Sequence, residues 1–155
     1  MTKKKVLLLG ATGMAGHIAY YYLDKTGRYE IVDVVFRNKL TSKSIVLDVT
    51  DKSATEDLVK AVKPDIIVNC IGVLIKGSQQ YPDNAIYINA YFPRLLERLT
   101  SEIDAKLIHV STDCVFSGKK GNYSEDDFRD ADDVYGRSKA LGEIINEKDL
   151  TIRTS

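Results

Sequence analysis

Short apolar runs alternate with longer amphipathic stretches along this chain of 155 residues. The runs are rich in valine, isoleucine and leucine and are mostly apolar throughout, which predicts strands buried on both faces of a sheet. The predicted strands span residues 6–9, 31–36, 45–49, 66–70, 107–111 and 150–153. The amphipathic stretches, predicted as helices, span residues 14–25, 55–62, 85–103 and 134–146.

This alternation predicts one α/β domain with a doubly wound parallel sheet, because parallel strands are joined by crossover helices. The length of the chain also fits a single domain. Ligands of such sheets bind beyond the carboxyl ends of the strands. The residues that directly follow each apolar run are therefore the candidates for function.

A glycine-rich loop follows the first predicted strand, and it spaces three glycines between that strand and a helix. Small residues there let backbone N–H groups approach a pyrophosphate, which the positive end of the helix dipole also attracts. The context predicts a Rossmann-type dinucleotide site with strand order 3-2-1-4-5-6, and the alternative is an ordinary tight turn. The candidate cofactor contacts in this loop are Gly10, Thr12, Gly13, Met14 and Gly16.

Two further positions suit the ribose and the adenine of a dinucleotide. Where NAD-specific sites carry an acid, after the second strand, this chain has Arg37, whose guanidinium suits a 2′-phosphate. NADP(H) is therefore favoured over NAD(H), and the alternative for Arg37 is a solvated loop residue. Asp48 suits the exocyclic amine of adenine and Val49 the face of its ring, but this segment equally fits the start of a helix, and both interpretations stay open.

Tyr135 and Lys139 lie on the last predicted helix with i and i+4 spacing, so that their side chains share one face. A cation beside a phenol favours the phenolate, so we expect the pKa of Tyr135 to lie below its usual value of roughly 10. The phenol can then exchange a proton with a carbonyl. Thr112, at the end of the fifth strand, is the preferred hydroxyl to bind the same oxygen, with Ser111 as the fallback and turn chemistry as the alternative.

Taken together, these motifs resemble the extended short-chain dehydrogenase/reductases. A narrower resemblance, to the dTDP-4-dehydrorhamnose reductase family, rests on Ser-Thr-Asp-x-Val-Phe-x-Gly at 111–118, Tyr-x-Glu-x-Asp at 123–127 and Tyr-Gly-Arg-Ser-Lys at 135–139. It covers essentially the whole chain. The resemblance implies NAD(P)H-dependent reduction of a 4-keto-6-deoxy sugar nucleotide, with Thr112, Tyr135 and Lys139 as the catalytic triad.

The same resemblance implies further contacts. Those with the cofactor are Asn69, Cys70, Ile71, Gly72, Asn89, Ser111, Tyr135 and Lys139. Those with the substrate are Thr112, Asp113 and Cys114. Cys114 stands where the rhamnose enzymes carry tyrosine, and Ser117 where they carry aspartate, which leaves the particular sugar open.

The amino-acid composition limits the kinds of partner and the cellular setting that we expect for this chain. The 22 basic and 22 acidic residues give a formal net charge of zero, which argues against a nucleic-acid or membrane surface. The two cysteines fit neither a disulfide framework nor a metal site, so we expect a reduced, cytoplasmic setting. The acidic residues of segment 126–133 lack a compact ligand spacing, so no metal is expected there, and His109 is expected to be structural.

In the family that this chain resembles, the last predicted strand leads into a substrate-binding part, whereas this sequence stops at Ser155. We therefore expect residues 1–155 to be the NAD(P)-binding domain of a longer enzyme, inactive alone because substrate positioning and water exclusion are missing. The alternative is a non-catalytic NADP-binding regulatory module. The resemblance also makes a homodimer through helices 85–103 and 134–146 the candidate assembly.

Overall fold

Six strands form one sheet in the computed structural model, which describes residues 2–155. The strands are β1 (Lys4–Leu9), β2 (Tyr29–Val35), β3 (Ile45–Val46), β4 (Ile66–Asn69), β5 (Lys106–Thr112) and β6 (Leu150–Thr154). They pair in the order β3-β2-β1-β4-β5-β6, and each of these pairings is parallel. The predicted doubly wound α/β fold and its strand order are therefore confirmed.

The helices flank this sheet. They are α1 (Met14–Thr26), α2 (Lys52–Val62), α3 (Ile75–Gln80), α4 (Pro82–Ala85), α5 (Phe92–Glu102) and α6 (Val134–Gly142). A π-helical segment, Ile86–Tyr91, joins α4 to α5, and a 3₁₀ turn, Asp113–Val115, follows β5. Within residues 2–155, no helix combines the length and the apolar character needed to cross a bilayer.

The centre of β1 shows why its run is apolar throughout. Leu7 and Leu9 belong to the larger core cluster, which also contains Phe92 and Leu96 of helix α5. Leu8 points to the opposite face and packs in a second cluster under α1. Both faces of the strand are therefore buried, as expected for a central parallel strand.

The predicted helical stretch 85–103 is confirmed as helical through Glu102, but its first part, Ile86–Tyr91, is a π-helical segment that was not predicted. Pro93 has no N–H to donate to the carbonyl of Asn89, four residues earlier. The N–H of Phe92 donates to the carbonyl of Tyr87, five residues earlier, which widens the turn. Helix α3 was not predicted from the sequence.

Two other predicted boundaries are too long. Helix 134–146 ends at Gly142, and Glu143 has extended backbone angles, with its side chain buried among polar groups. Only glycine fits at position 142, since a Cβ at this position would lie 1.9 Å from the carbonyl oxygen of Asn89. Strand 45–49 ends at Val46, because only two residues pair with β2 before the chain turns toward α2.

Candidate active site

The glycine-rich loop joins β1 to α1 in a conformation that side chains would prevent. Gly10 has a φ of +82°, in the left-handed region, and its N–H donates to the carbonyl of Val34 at 3.0 Å. A Cβ on Gly16 would lie 2.1 Å from the carbonyl oxygen of Gly10, so only glycine lets α1 approach the strand this closely. No side chain caps the start of α1, where Gly13 is the N-cap residue. The first-turn N–H groups therefore have no capping side chain as a partner.

An open cleft of about 370 Å³, here called the first cleft, lies beyond the carboxyl ends of β1, β2 and β4. Among its lining residues are these predicted cofactor contacts: Gly10, Thr12, Gly13, Asp48, Val49, Cys70, Ile71 and Gly72. The lining also includes residues that were not predicted as site residues, namely Val34, Val35, Phe36, Leu47, Thr50, Val73, Asn84 and Ile88. Phe36 directly follows β2, so its position after a strand was a usable signal.

The ribose and adenine candidates lie at the edge of this cleft. Arg37 is exposed, and its guanidinium lies 4.7 Å from the centre of the Phe36 ring. Asp48 lines the cleft and accepts hydrogen bonds from the N–H and hydroxyl of Thr50, at 3.0 and 2.7 Å. The capping residue of α2 is Asp51, which accepts from the N–H of Ala54 at 3.0 Å. Asp51 is therefore the residue that caps α2, and the side chain of Asp48, which does not cap the helix, lines the cleft.

Two buried asparagines hold the wall of the first cleft rather than line it. Asn69 accepts the Ile71 N–H at 3.1 Å. Asn89, in the π-helical segment, accepts the Val73 N–H at 2.8 Å and donates to the Val73 carbonyl at 2.9 Å. Asn89 also donates to the hydroxyl of Ser138 on α6 at 3.1 Å. The loop after β4 is therefore fixed to the helix that carries Tyr135 and Lys139.

His109 lies buried on β5, where its Nδ1 is 3.1 Å from the Nδ2 of Asn69. Because Asn69 Oδ1 accepts from Ile71, its Nδ2 must be the donor and His109 Nδ1 the acceptor. Burial, and to a lesser degree the charge of Lys139, lower the pKa of His109 to about 3. The imidazole is therefore neutral and structural in this fold.

Lys139, on α6, approaches Gly72, which lines the first cleft. Its Nζ donates to the carbonyl of Val110 at 2.7 Å and lies 3.8 Å from the position that a Cβ on Gly72 would occupy. Burial lowers the pKa of Lys139 to about 8, although the charge of Glu143 opposes this shift. The ammonium form therefore predominates at neutral pH and carries two further N–H donors.

Tyr135, one turn earlier on α6, is buried, and burial raises the pKa of its phenol. Hydrogen bonding with Thr112 opposes the shift but does not reverse it. The expectation of a lowered pKa is therefore wrong for the protein without ligand. The physical reason is that Lys139 directs its ammonium to Val110 and does not offset the loss of hydration around the phenol.

Thr112 and Ser111 face opposite sides of β5, as successive strand residues do. The hydroxyl of Thr112 accepts the Cys114 N–H at 3.2 Å, and it lies near enough to Tyr135 to lower the pKa of the phenol. Ser111 donates to Oε1 of Glu143 at 2.9 Å instead. The structure thus brings Thr112 to Tyr135 and directs Ser111 away from it.

A second cleft, of about 450 Å³, lies beyond the end of β5. Its lining consists of Asp113, Cys114, Phe116, Ser117, Gly118, Tyr123, Ser124, Glu125 and Arg153. Two of the three predicted substrate contacts, Asp113 and Cys114, are thus on its wall, directly after Thr112. The stacked rings of Phe116 and Tyr123, with centres 4.5 Å apart, form part of the same wall.

The family model described as the RmlD substrate binding domain matches residues 4–155. The chain belongs to the RmlD family. It is 30% identical over 157 residues to a dTDP-4-dehydrorhamnose reductase of Aggregatibacter actinomycetemcomitans, a match that covers 97% of this chain and 51% of the relative. It is 35% identical to the spore coat polysaccharide biosynthesis protein SpsK of Bacillus subtilis, covering 97% and 52%.

Among solved structures, the RmlD-family chain resembles the dTDP-4-dehydrorhamnose reductase of Bacillus anthracis in complex with NADP. The TM-score is 0.86 and the identity 27%, with 99% of this chain and 54% of that chain covered. The chain therefore spans about half the length of the relatives that it matches.

The acidic segment of this RmlD-family chain makes loop contacts. Asp130 accepts from the N–H and hydroxyl of Ser117, at 2.8 and 2.6 Å, and these bonds lower the pKa of Asp130 to about 2. Asp133 caps α6 by accepting the Gly136 N–H at 2.9 Å. Within residues 2–155 no group of three or more metal-ligating side chains is found.

Proposed function

We propose that this chain binds NADP(H) in the first cleft and that the full-length protein reduces a 4-keto-6-deoxy sugar nucleotide at the second cleft. The observation that carries the proposal is the position of Lys139. Its Nζ lies beside Gly72, on the wall of the first cleft. Tyr135, on the same helix, interacts with Thr112, and the next residue, Asp113, lines the second cleft. This arrangement suits hydride transfer from a cofactor to a carbonyl substrate, with Tyr135 as the proton donor.

The glycine loop supports a dinucleotide in the first cleft. The glycines bring the backbone of the loop and the start of α1 close to β1, and no side chain occupies the helix start. Arg37, beside Phe36 at the rim, supplies a guanidinium for a 2′-phosphate. The Bacillus anthracis relative was solved with NADP, which favours the same cofactor here. NAD(H) is the alternative.

Bound NADPH would supply a hydride to the carbonyl carbon of the substrate. The hydroxyl of Tyr135 then donates its proton to the carbonyl oxygen, so that the ketone becomes a secondary alcohol. Because burial raises the pKa of Tyr135, the phenol holds this proton at neutral pH, as a donor in the reductive direction requires. The hydroxyl of Thr112 orients the same oxygen, and Lys139 stabilises the phenolate as it forms.

The second candidate function is that of an NADP-binding regulatory module without catalysis, and one pair of measurements separates the two. The full-length protein is titrated with NADPH and NADH, and is then mixed with NADPH and a dTDP-4-keto-6-deoxy sugar. The reductase proposal expects tighter binding of NADPH and formation of the sugar alcohol in step with NADPH oxidation. Binding of NADPH without any alcohol product would contradict the reductase and favour the module.

A further inference from the structure

Glu143 is a buried carboxylate outside the catalytic triad. It directly follows α6 and is only 1% exposed. Its Oε1 accepts from Ser111 Oγ at 2.9 Å and from Arg153 Nε at 2.8 Å. Its Oε2 accepts from Arg153 Nη2 at 2.9 Å and from Arg129 Nη1 at 3.1 Å. Both oxygens are thus occupied by donors from β5, β6 and the segment that precedes α6.

The carboxylate is ionised in this environment. Burial alone would raise the pKa of Glu143, but hydrogen bonds from Arg153 and Ser111 outweigh burial and lower it. Buried ion pairs of this kind contribute little net stability, because desolvation of the charges offsets their attraction. Their geometry, however, is fixed by several directed hydrogen bonds at once. A role in positioning is therefore a better explanation of this cluster than a role in stability.

The cluster connects the parts that the proposed reduction must align. Ser111 immediately precedes Thr112 on β5, while Glu143 immediately follows the helix that carries Tyr135 and Lys139. The bond from Ser111 to Glu143 therefore links the strand of one triad member to the helix of the other two.

Arg153 extends the link to the second cleft. Its guanidinium lies 4.8 Å from the centre of the Phe116 ring and donates to the carbonyl of Glu125 at 3.1 Å. Phe116, Glu125 and Arg153 all line that cleft. One carboxylate thus connects the triad to the wall of the proposed substrate site.

We propose that Glu143 is a positioning residue, which holds α6 against β5 so that the hydroxyls of Tyr135 and Thr112 meet the same substrate oxygen. This inference rests on the proposed function. A misplacement of about 1 Å in such a pair costs up to about 100-fold in rate. Glu143 does not line the first cleft and acts on Lys139 only through its charge, against the larger effect of burial, so we expect NADPH affinity to change less than kcat.

The test compares Glu143→Gln with Glu102→Gln in the full-length protein. Glu102 forms a surface ion pair with Arg98 and serves as the matched control. We expect kcat of Glu143→Gln to fall about 10- to 100-fold while the NADPH Kd changes less than kcat does. The control should keep both values. A wild-type kcat in Glu143→Gln, or a change in KM alone, would overturn the inference and leave the proposed function standing.

A second variant covers the case in which Glu143→Gln does not fold. Ser111→Ala leaves both arginine pairs with Glu143 intact and removes only the link to β5. We expect its kcat to fall about fivefold, the equivalent of one hydrogen bond, without a matching rise in KM. An unchanged kcat, or a rise in KM alone, would overturn the inference. Absence of reduction by the wild-type protein would overturn the proposed function and this inference together.

Discussion

Replacing Lys139 with methionine should stabilise the fold while it removes a catalytic group. The side chain of Lys139 is only 4% exposed, and burial lowers its pKa from 10.5 to about 8. At about 1.4 kcal/mol per pKa unit, keeping the ammonium charged at neutral pH costs the folded state about 3 kcal/mol. Loss of the bond to Val110 removes about 1 kcal/mol of stabilisation, so the expected net gain is about 2 kcal/mol.

The gain should depend on pH in a defined direction. The pKa of Lys139 is lower in the folded state, so between pH 8 and 10.5 the unfolded state binds more protons than the folded state. The stability contribution of Lys139 therefore rises with pH in this window. The advantage of Lys139→Met should be largest below pH 8 and should close toward pH 10.5.

Urea unfolding of wild type and Lys139→Met, at neutral pH and again near pH 10.5, measures both effects. The exposed Lys76, on α3, provides the control Lys76→Met, for which we expect a change within about 0.5 kcal/mol at either pH. A less stable Lys139→Met at neutral pH, or an advantage that persists unchanged in alkali, would refute the reasoning. The same variant should bind NADPH more weakly.

Two further variants test the first cleft. Arg37→Ala should weaken NADPH binding about tenfold, the equivalent of one charge-assisted hydrogen bond, and leave NADH binding unchanged in a fluorescence titration; an equal effect on both cofactors would exclude contact with the 2′-phosphate. Gly16→Ala forces a Cβ toward the Gly10 carbonyl, so the free energy of unfolding should fall by about 3 kcal/mol and NADPH binding should be lost. If Gly16→Ala unfolds in urea with the same free energy as wild type, α1 can move away from Gly10 without loss of stability, and the expectation is wrong.

The fold was predictable because its signals are local in the sequence. The run at residues 6–9 is apolar throughout, and the structure buries its side chains in core clusters on both faces of the sheet. The glycine loop was equally readable, since Gly10 and Gly16 are needed for backbone geometry between adjacent elements. The spacing of Tyr135 and Lys139 on one helix likewise depends only on helical geometry.

What the sequence did not reveal depends on contacts between distant segments. Glu143 pairs with Arg153 and Arg129, which lie too far away in the sequence for any local pattern to associate them. At Glu143 the backbone is extended, so α6 ends one residue earlier, at Gly142. The raised pKa of Tyr135 depends on how deeply the phenol is buried, which periodicity does not measure. The π-helical segment at Ile86–Tyr91 had a local signal in Pro93, which the apolar spacing of the surrounding stretch obscured.

The most direct test of the proposed reductase is single-turnover reduction by the full-length protein with Tyr135 replaced by phenylalanine. The substitution removes only the hydroxyl that donates the proton. We predict that the rate of alcohol formation from a dTDP-4-keto-6-deoxy sugar falls by about 10²- to 10⁴-fold. The NADPH Kd should change far less than the rate, because phenylalanine keeps the aromatic ring and removes only one hydroxyl. An unchanged rate would contradict the assignment of Tyr135 as the proton donor.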